Sequence, residues 1–397
     1  MKADTVTTEV EYLVLSAEKY VEHRLPHYIE ELRELCLIDS NTYYKPGLDE
    51  VALYLEDRMR KLGMSTTIIE HEDCGNDLLG TIQGSGTGNV LLLGHMDTVY
   101  PVGTAAARPL RVEGDTIYGP GASDMKGCIL SALYALEAVF AANCRSFGEI
   151  RFLCVSDEEI LKRHSLGIIR EISQGCQAAL VLEAARANGA IVSSRKGNAG
   201  YTLKVKGRSA HTGVEPEKGR NAIVELSHQI LQFESLNGWR EGLTINAGMC
   251  SGGVALNVVP DYAEAQIDLR FSDFRDKTDV ENVWQRMIQQ NKIVGTEVML
   301  EAWPDCRQPM LCTPQSLTLV DCAREISHIL GFSLEHVMTG GSSDASYTSG
   351  SGIPTLDGLG PIGGRDHSPD EYLVKSSIAQ RSALLAGLIT SVKAQDL

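Results

Sequence analysis

A predicted buried strand followed by polar side chains is found in the segment Asn89-Val-Leu-Leu-Leu-Gly-His95-Met-Asp97-Thr-Val99. Consecutive apolar residues bounded by Gly94 are typical of a strand in the interior of a sheet. In an open α/β sheet, ligands bind beyond the C-terminal ends of such strands. We therefore predict that His95 binds a metal ion through one ring nitrogen, and that Asp97 fixes the orientation of the ring.

Two further apolar segments end in acidic residues. Residues 149–155, Glu-Ile-Arg-Phe-Leu-Cys-Val, lead to the acidic run 157–159, and residues 178–182, Ala-Ala-Leu-Val-Leu, lead directly to Glu183. Adjacent carboxylates repel one another, and a bound divalent cation would offset that repulsion. Both segments therefore predict strands that end at a metal site.

Two glycine-rich turns add candidate ligands. Tyr118-Gly-Pro-Gly-Ala-Ser-Asp124 precedes residues 128–140, whose apolar spacing predicts a helix, and Gly363-Gly-Arg-Asp-His367 lies near the C-terminus. Glycine lets the backbone fold tightly around an ion. Oxygen and imidazole ligands without thiolate suit zinc, with cobalt or manganese as alternatives. The five candidates for one binuclear metal site are His95, Asp124, Glu159, Glu183 and His367.

Short motifs continue along the rest of the chain. They are His95-Met-Asp97-Thr-Val-Tyr, Arg195-Lys-Gly197, Gly207-Arg-Ser-Ala-His211-Thr-Gly213, Gly219-Arg-Asn221-Ala, Asn257-Val-Val-Pro260, Asp268-Leu-Arg270 and Thr339-Gly-Gly-Ser-Ser-Asp344-Ala. With this combination, the chain from about residue 30 onward resembles a metallopeptidase family. The family includes glutamate carboxypeptidase, acetylornithine deacetylase, succinyl-diaminopimelate desuccinylase and the aminoacylases. The glutamate carboxypeptidase branch is the most similar.

The resemblance implies a role for each metal ligand. Asp124 matches the aspartate that bridges two zinc ions. His95 and Glu183 match the other ligands of one ion, and Glu159 and His367 match those of the second ion. Two divalent ions can hold a bridging water, lower its pKa and polarise a carbonyl oxygen.

Glu158 matches the general base of the family, and Asp97 matches the aspartate behind the metal-bound histidine. Neighbouring residues of an extended strand point to opposite sides. Glu158 and Glu159 can therefore take different roles only if the backbone turns there. The residues alone leave open which glutamate is the ligand, and the resemblance decides it.

The resemblance also implies substrate contacts. His211 matches a histidine that reaches the active site of the partner subunit and steadies the oxyanion of the intermediate. Arg270 matches the arginine that grips the α-carboxylate of the substrate, and Asn257 and Gly341 are expected to line the same pocket. The alternative interpretations are a solvated loop histidine for His211 and a surface ion pair for Arg270.

The hydrophobic pattern predicts an α/β fold, with a mixed sheet covered by helices on both faces and an inserted α+β sandwich. Residues 1–195 and 304–397 are assigned to a discontinuous catalytic domain that binds the metals. Residues 196–303 are assigned to a dimerisation and lid domain, because the pattern changes to half-exposed strands at Tyr201–Gly207. We therefore expect a homodimer through the inserted domain.

The composition limits the kinds of molecule that the protein is expected to bind. The chain has 397 residues, 43% hydrophobic, with 36 basic and 52 acidic residues and a formal net charge of −16. Nucleic-acid binding is not expected, since it requires a basic surface. The ten cysteines include no CxxC pair. No signal-like or membrane-spanning apolar segment is present, so we expect a cytoplasmic protein without a membrane partner.

Two departures from the family pattern concern the substrate. Leu161-Lys162-Arg163-His164 follows the acidic run, where relatives have a glycine- and serine-rich turn. These cations either narrow the pocket and favour an anionic substrate, or face solvent ahead of a helix capped by Ser165. Ala184 replaces the proline that usually follows the fourth ligand.

The predicted function is a zinc-dependent hydrolase that cleaves an amide bond next to a free carboxylate, as a carboxypeptidase does. The alternatives within this chemistry are an N-acyl-amino-acid deacylase, an aminoacylase or a dipeptidase. A hypothesis of another class is a non-catalytic binder of peptides or amino acids that retains the fold.

Overall fold

The structure, a computed structural model, describes residues 7–160 and 164–393. The helices are α1 Thr8–Cys36, α2 Lys45–Lys61, α3 Thr104–Ala107, α4 Lys126–Ala141, α5 Ser165–Ser173, α6 Ala222–Glu234, α7 Phe274–Met287, α8 Pro314–Ile329, α9 Ala345–Gly350 and α10 Ser377–Ser391. The strands are β1 Ser65–Ile69, β2 Asp77–Gln83, β3 Val90–His95, β4 Arg111–Glu113, β5 Thr116–Tyr118, β6 Glu149–Val155, β7 Ala178–Val181, β8 Ile191–Arg195, β9 Gly197–Lys206, β10 Thr244–Gly252, β11 Tyr262–Phe271, β12 Glu297–Arg307, β13 His336–Thr339, β14 Thr355–Leu356, β15 Gly363–Gly364 and β16 Tyr372–Val374.

The chain divides into two compact units. The first contains the residues up to Ser194, Met310–Met338 and the residues from Ser343 onward, and the second contains Arg195–Pro309 and Thr339–Ser342. The roles predicted for the two domains, catalysis and dimerisation, stay predictions.

The main sheet of the first unit has the strand order β1-β2-β6-β3-β7-β14. Every residue of β3 is buried. Leu92 packs in the core that includes α1, α4 and α10, whereas Leu91 and Leu93 pack with Ile169 of α5 and Ala345 of α9. Since alternate side chains point to opposite faces of a sheet, helices cover both faces. The predicted α/β class is confirmed.

The strand directions determine where the candidate ligands meet. β3 pairs in parallel with both β6 and β7, whereas β2 pairs with β6 in the antiparallel direction. The C-terminal ends of three adjacent strands therefore lie at one edge of the sheet. His95 is the last residue of β3, and the acidic segments follow β6 and β7 directly.

The second unit is an antiparallel sheet of order β10-β11-β9-β12, with α6 and α7 packed against it. Its core contains Phe233 stacked on Trp284, with ring centroids 4.5 Å apart. This is the predicted α+β sandwich. β12 pairs with β9 as far as Arg307, so the unit continues beyond residue 303, where the domain boundary is predicted.

In the part of the chain that the structure describes, no helix combines the length and apolar character needed to span a membrane.

A buried ion-pair cluster joins three helices of the first unit. Arg58 of α2 lies with its Nε 2.8 Å from Glu31 of α1 and its Nη2 2.8 Å from Glu137 of α4. The Nε contact is an ion pair without hydrogen-bond geometry. The hydroxyl of Tyr134 donates to Glu31 at 2.6 Å.

We predict that Arg58→Ala lowers the free energy of unfolding by about 3–5 kcal/mol, because it leaves the buried carboxylate of Glu31 without its cation and removes the nearer of the two cations at Glu137, which also lies 3.8 Å from Arg24. The control is Lys61→Ala, which removes an exposed pair with Asp57 and should cost only about 0.3–0.5 kcal/mol. Urea unfolding followed by far-ultraviolet circular dichroism compares them. Equal, small losses for both variants would contradict the prediction.

Candidate metal centre

His95 presents one ring nitrogen towards the cluster of acids. Its Nδ1 lies 3.0 Å from the backbone oxygen of Asp97 and 3.2 Å from the Oδ1 of that residue. Because both partners accept, Nδ1 keeps its proton, and Nε2 is the nitrogen that would bind a metal once it has lost its own proton. Burial disfavours the charged ring, but contacts with Asp124 and Asp97 prevail and raise the pKa of His95 well above its ordinary value.

Asp97 positions both the ring of His95 and the turn that follows β6. Its fully buried carboxylate accepts from Thr42 Oγ1 at 2.7 Å and from the backbone N–H groups of Glu158 and Glu159 at 3.1 and 3.0 Å. Burial opposes ionisation, but the hydrogen bonds with His95 and Thr42 hold the pKa of Asp97 below its ordinary value. The chain turns at Glu158 and Glu159, which is the condition for their side chains to take separate roles.

Asp124 lies between the two histidines and contacts one with each carboxylate oxygen. Oδ1 is 2.9 Å from His95 Nε2, and Oδ2 is 3.1 Å from His367 Nε2. His367 Nε2 also lies 3.0 Å from Glu159 Oε2, and Glu183 Oε1 lies 3.8 Å from His95 Nε2. The structure therefore brings the five predicted ligands together from separate segments of the chain.

The electrostatics of this cluster fit a divalent cation. Burial, with the neighbouring charge of Asp124, raises the pKa of Glu183 well above its ordinary value, and burial also raises the pKa of Glu159. Acids crowded in this way repel one another unless protons or cations intervene. The donors are carboxylate oxygens and imidazole nitrogens, a set that suits zinc.

Glu371 is a residue that the sequence analysis missed. Its buried carboxylate accepts from the backbone N–H groups of Gly121, Ser123 and Asp124 at 2.8–3.0 Å and from the Tyr100 hydroxyl at 2.7 Å. Burial raises the pKa of Glu371 to about 7. It holds the turn that carries Asp124, which lies 247 residues earlier in the chain. No local spacing marks such a contact, and its position four residues after His367 is the only signal.

The remaining predicted site residues belong to the second unit. His211 is exposed, its Nδ1 accepts from the Gly213 N–H at 3.1 Å, and the neighbouring Thr212 donates to the backbone oxygen of Asn257 at 3.2 Å. The structure thus places the loops of His211 and Asn257 side by side. Gly341 accepts from Arg195 at 3.0 Å.

Arg270 forms an ion pair in the same unit. Its Nε lies 2.7 Å from Asp268 Oδ2, and both side chains are partly exposed. In the alternative interpretation of Arg270 as a surface ion pair, Asp268 is its partner. The substrate roles of His211, Asn257, Arg270 and Gly341 stay predictions.

The segment after Glu159 is only partly described. Leu161, Lys162 and Arg163 lie outside the described residues, so their effect on substrate choice stays a prediction. The expectation that Ser165 caps the next helix is wrong. Ser165 is the first residue of α5, and its hydroxyl donates to the carboxylate of Asp157 instead of accepting from a backbone N–H group.

We predict that metal binding releases protons and weakens as the pH falls. Contacts with Asp124 and Glu159 raise the pKa of His367 to about 11, and the pKa values of His95 and Glu183 are also raised. His367 therefore holds its proton at neutral pH, the raised pKa values shift His95 and Glu183 towards their protonated forms, and these protons must leave before a metal binds. The apparent affinity should fall about tenfold per pH unit for each proton released.

Isothermal titration of chelator-treated protein with Zn²⁺, in buffers of different ionisation enthalpy, measures this release. A binding enthalpy that does not depend on the buffer would contradict the prediction.

The sequence and the fold were compared with known proteins. Residues 91–391 match the profile of peptidase family M20/M25/M40. Carboxypeptidase G2 from Pseudomonas sp. (strain RS-16) is 30% identical over 377 residues, which cover 93% of this chain and 90% of that protein. Succinyl-diaminopimelate desuccinylase from Dechloromonas aromatica (strain RCB) is 26% identical over 349 residues, covering 83% and 90%.

Two solved structures share the fold. Aminopeptidase PepT from Bacillus cereus ATCC 10987 has a TM-score of 0.77 at 21% identity, covering 92% of this chain and 98% of that one. The M20 family metallo-carboxypeptidase Sso-CP2 from Sulfolobus solfataricus has a TM-score of 0.73 at 18% identity, covering 91% and 98%. At these identities the likeness shows the fold alone.

Proposed function

The chain belongs to peptidase family M20/M25/M40, and from this premise we propose that it is a binuclear zinc hydrolase that cleaves an amide bond next to a free carboxylate. The family membership and the metal-dependent peptidase or amidohydrolase class agree with the sequence analysis. The proposal of a binuclear site rests on the position of Asp124, whose two carboxylate oxygens contact His95 and His367.

Asp124 is the proposed bridge between the two ions. His95 and Glu183 would complete one ligand set, and Glu159 and His367 would complete the other. Bound zinc would supply a Lewis acid that polarises a carbonyl oxygen and makes water more acidic. The chain itself orients the ligands. Asp97 fixes the ring of His95 through Nδ1, as described above.

Glu158 is the proposed general base. Its backbone N–H donates to the same Asp97 carboxylate that contacts His95, so one buried group positions the base and a ligand together. In this proposal Glu158 takes the proton from the attacking water and later gives it to the leaving amine, a transfer for which a positioned carboxylate is suited.

Arg270 is the proposed contact for the substrate carboxylate. We predict that Arg270→Met raises KM about 10- to 100-fold with little change in kcat, since a hydrogen bond between charged groups contributes roughly 1.5–3 kcal/mol. Steady-state kinetics should use paired substrates that end in a carboxylate or in a carboxamide. The variant should lose the preference for the carboxylate.

The control for Arg270 is Arg275→Met, which breaks an exposed pair with Asp273 in the same unit. It should leave KM unchanged. If Arg270→Met and its control behave alike, Arg270 is a surface ion pair and the carboxylate contact must be sought elsewhere.

The substrate class is tested by a hydrolysis panel. The proposed leading substrates are peptides or conjugates with a C-terminal glutamate, because the sequence motifs resemble the glutamate carboxypeptidase branch and carboxypeptidase G2 is similar over 93% of the chain. N-acyl-amino-acid deacylation is the second candidate, favoured by the similarity to the desuccinylases.

Zinc- or cobalt-loaded protein would be incubated with N-benzoyl and folyl-type glutamates, N-acetyl amino acids and dipeptides, each with a chelated control, and products read by mass spectrometry. Metal-dependent cleavage that is fastest for the glutamates supports the carboxypeptidase. Binding of the panel without turnover under either metal would replace the proposal with a non-catalytic binder.

A further inference from the structure

A second group of metal-ligating side chains lies in the first unit and shares no residue with the proposed catalytic centre. His71 and Cys74 lie in the loop between β1 and β2, and His164 directly precedes α5. One ligand atom from each of the three side chains lies within 4.8 Å of the other two. The two imidazole rings are 5.3 Å apart between centroids. A thiol and two imidazoles that meet in this way form a donor set for zinc.

A buried carboxylate orients the ring of His71. Its Nε2 lies 3.0 Å from Oδ2 of Asp77, a residue that is fully buried at the start of β2. The second oxygen of Asp77 accepts from the backbone N–H of Ser156 at 2.9 Å. Because a carboxylate accepts, His71 Nε2 carries the proton and Nδ1 keeps a lone pair. A carboxylate behind the ring is the usual support of a metal-bound histidine.

The surroundings of Cys74 favour a cation over an isolated thiolate. Cys74 as a whole residue is 7% exposed. Burial, together with the charges of Asp157 and Asp77, raises the pKa of the Cys74 thiol to about 11. A bound metal ion reverses this effect, because a coordinated thiol loses its proton. The negative charges that destabilise a lone thiolate would also attract the cation.

Hydrogen bonds hold the backbone on both sides of the group. Asn76 accepts from the backbone N–H of His71 at 2.9 Å and donates its own backbone N–H to Asp49 at 2.9 Å. Asp157 accepts from the backbone N–H of His164 at 3.3 Å.

Tetrahedral zinc at about 2.0–2.3 Å from each donor needs the donors roughly 3.3–3.8 Å apart. Because the three donor atoms lie within 4.8 Å of one another, they need to approach by roughly 1–1.5 Å at most to reach this spacing.

We propose that His71, Cys74 and His164 bind a further divalent metal ion of the zinc type, which ties the loop between β1 and β2 to the start of α5. Asp157, which contacts both His164 and Ser165, immediately precedes the proposed base Glu158. The ion would thus fix His164 and the start of α5, close in the chain to the proposed catalytic glutamates. With three protein ligands, its fourth position stays open to water.

Cobalt substitution tests this site separately from the catalytic centre, since the five catalytic ligands contain no sulfur. Full-length protein would be stripped with a chelator, titrated with Co²⁺ and followed by absorption. A near-ultraviolet thiolate-to-cobalt charge-transfer band is expected in the unmodified protein. Cys74→Ser should lose the band and one equivalent of bound metal, and His71→Asn and His164→Asn should weaken it.

The matched control is Cys176→Ser, which changes another buried cysteine of the same unit and should keep the band and the metal content. Absence of the band in the unmodified protein at saturating Co²⁺ would overturn the proposal, even if the Cys74 variant failed to fold. Retention of the full band in Cys74→Ser would overturn it as well.

Discussion

Glu158→Gln is expected to lower kcat by about 10²–10⁴-fold while the protein keeps its metals, because a positioned base contributes about that much to the rate. Glutamine keeps the shape of the side chain. It also keeps the backbone N–H that donates to Asp97 at 3.1 Å. The amide, however, cannot take a proton from water. The loss should therefore appear in kcat, with KM and metal content nearly unchanged.

The measurement combines steady-state kinetics with metal analysis of the same sample. Glu171→Gln, an exposed acid on α5 in the same unit, is the matched control and should have full activity. A Glu158→Gln protein that binds metal and retains full activity would refute the assignment of the base. A variant that loses its metals would instead make Glu158 a ligand, and the roles of Glu158 and Glu159 would be exchanged.

His211→Ala is expected to lower kcat by about 10²–10³-fold, the usual loss when one donor to an oxyanion is removed. The proposal is that His211 of the partner subunit acts on the substrate bound to the first subunit. His211 is exposed and on a loop of the second unit, as a donor that crosses to another subunit must be. The control is His228→Ala on α6, which should leave kcat unchanged.

Mixing two inactive variants distinguishes a donor in the partner from a donor in the same chain. If His211 acts across the dimer, a mixed dimer of Glu158→Gln and His211→Ala contains one complete site. Random exchange makes half of the dimers mixed, so roughly a quarter of the unmodified activity should return. No recovery after exchange, with mixed dimers shown by native mass spectrometry, would place His211 in its own subunit's site or outside the chemistry.

Local sequence was sufficient to predict the main elements of the fold. The apolar run before Gly94 is β3, the run from Glu149 is β6, and the run from Ala178 is β7. Each of these predictions depends on contiguous residues, since a strand that is buried on both faces has a nearly continuous apolar sequence. The family resemblance and the α/β class follow from such local patterns, and both are confirmed.

Boundaries and caps were predicted less well, because they depend on contacts outside the segment. β12 runs on to Arg307 because its pairing with β9 continues as far as Asn198. Ser165 does not cap α5, because the helix already begins at Ser165, and its hydroxyl donates to the carboxylate of Asp157. In both cases a partner that is remote or unrecognised in the sequence decides the local structure.

The sequence by itself determined which residue types could form a metal centre and which strand ends would present them. Only the tertiary structure decided how their atoms meet: Asp124 with one oxygen on each histidine, and Glu371 beneath the turn that carries Asp124. It also joined His164 to His71 and Cys74. The physical reason is that strand burial is encoded in neighbouring residues, whereas a hydrogen bond or a shared ion joins side chains that the fold alone brings within reach.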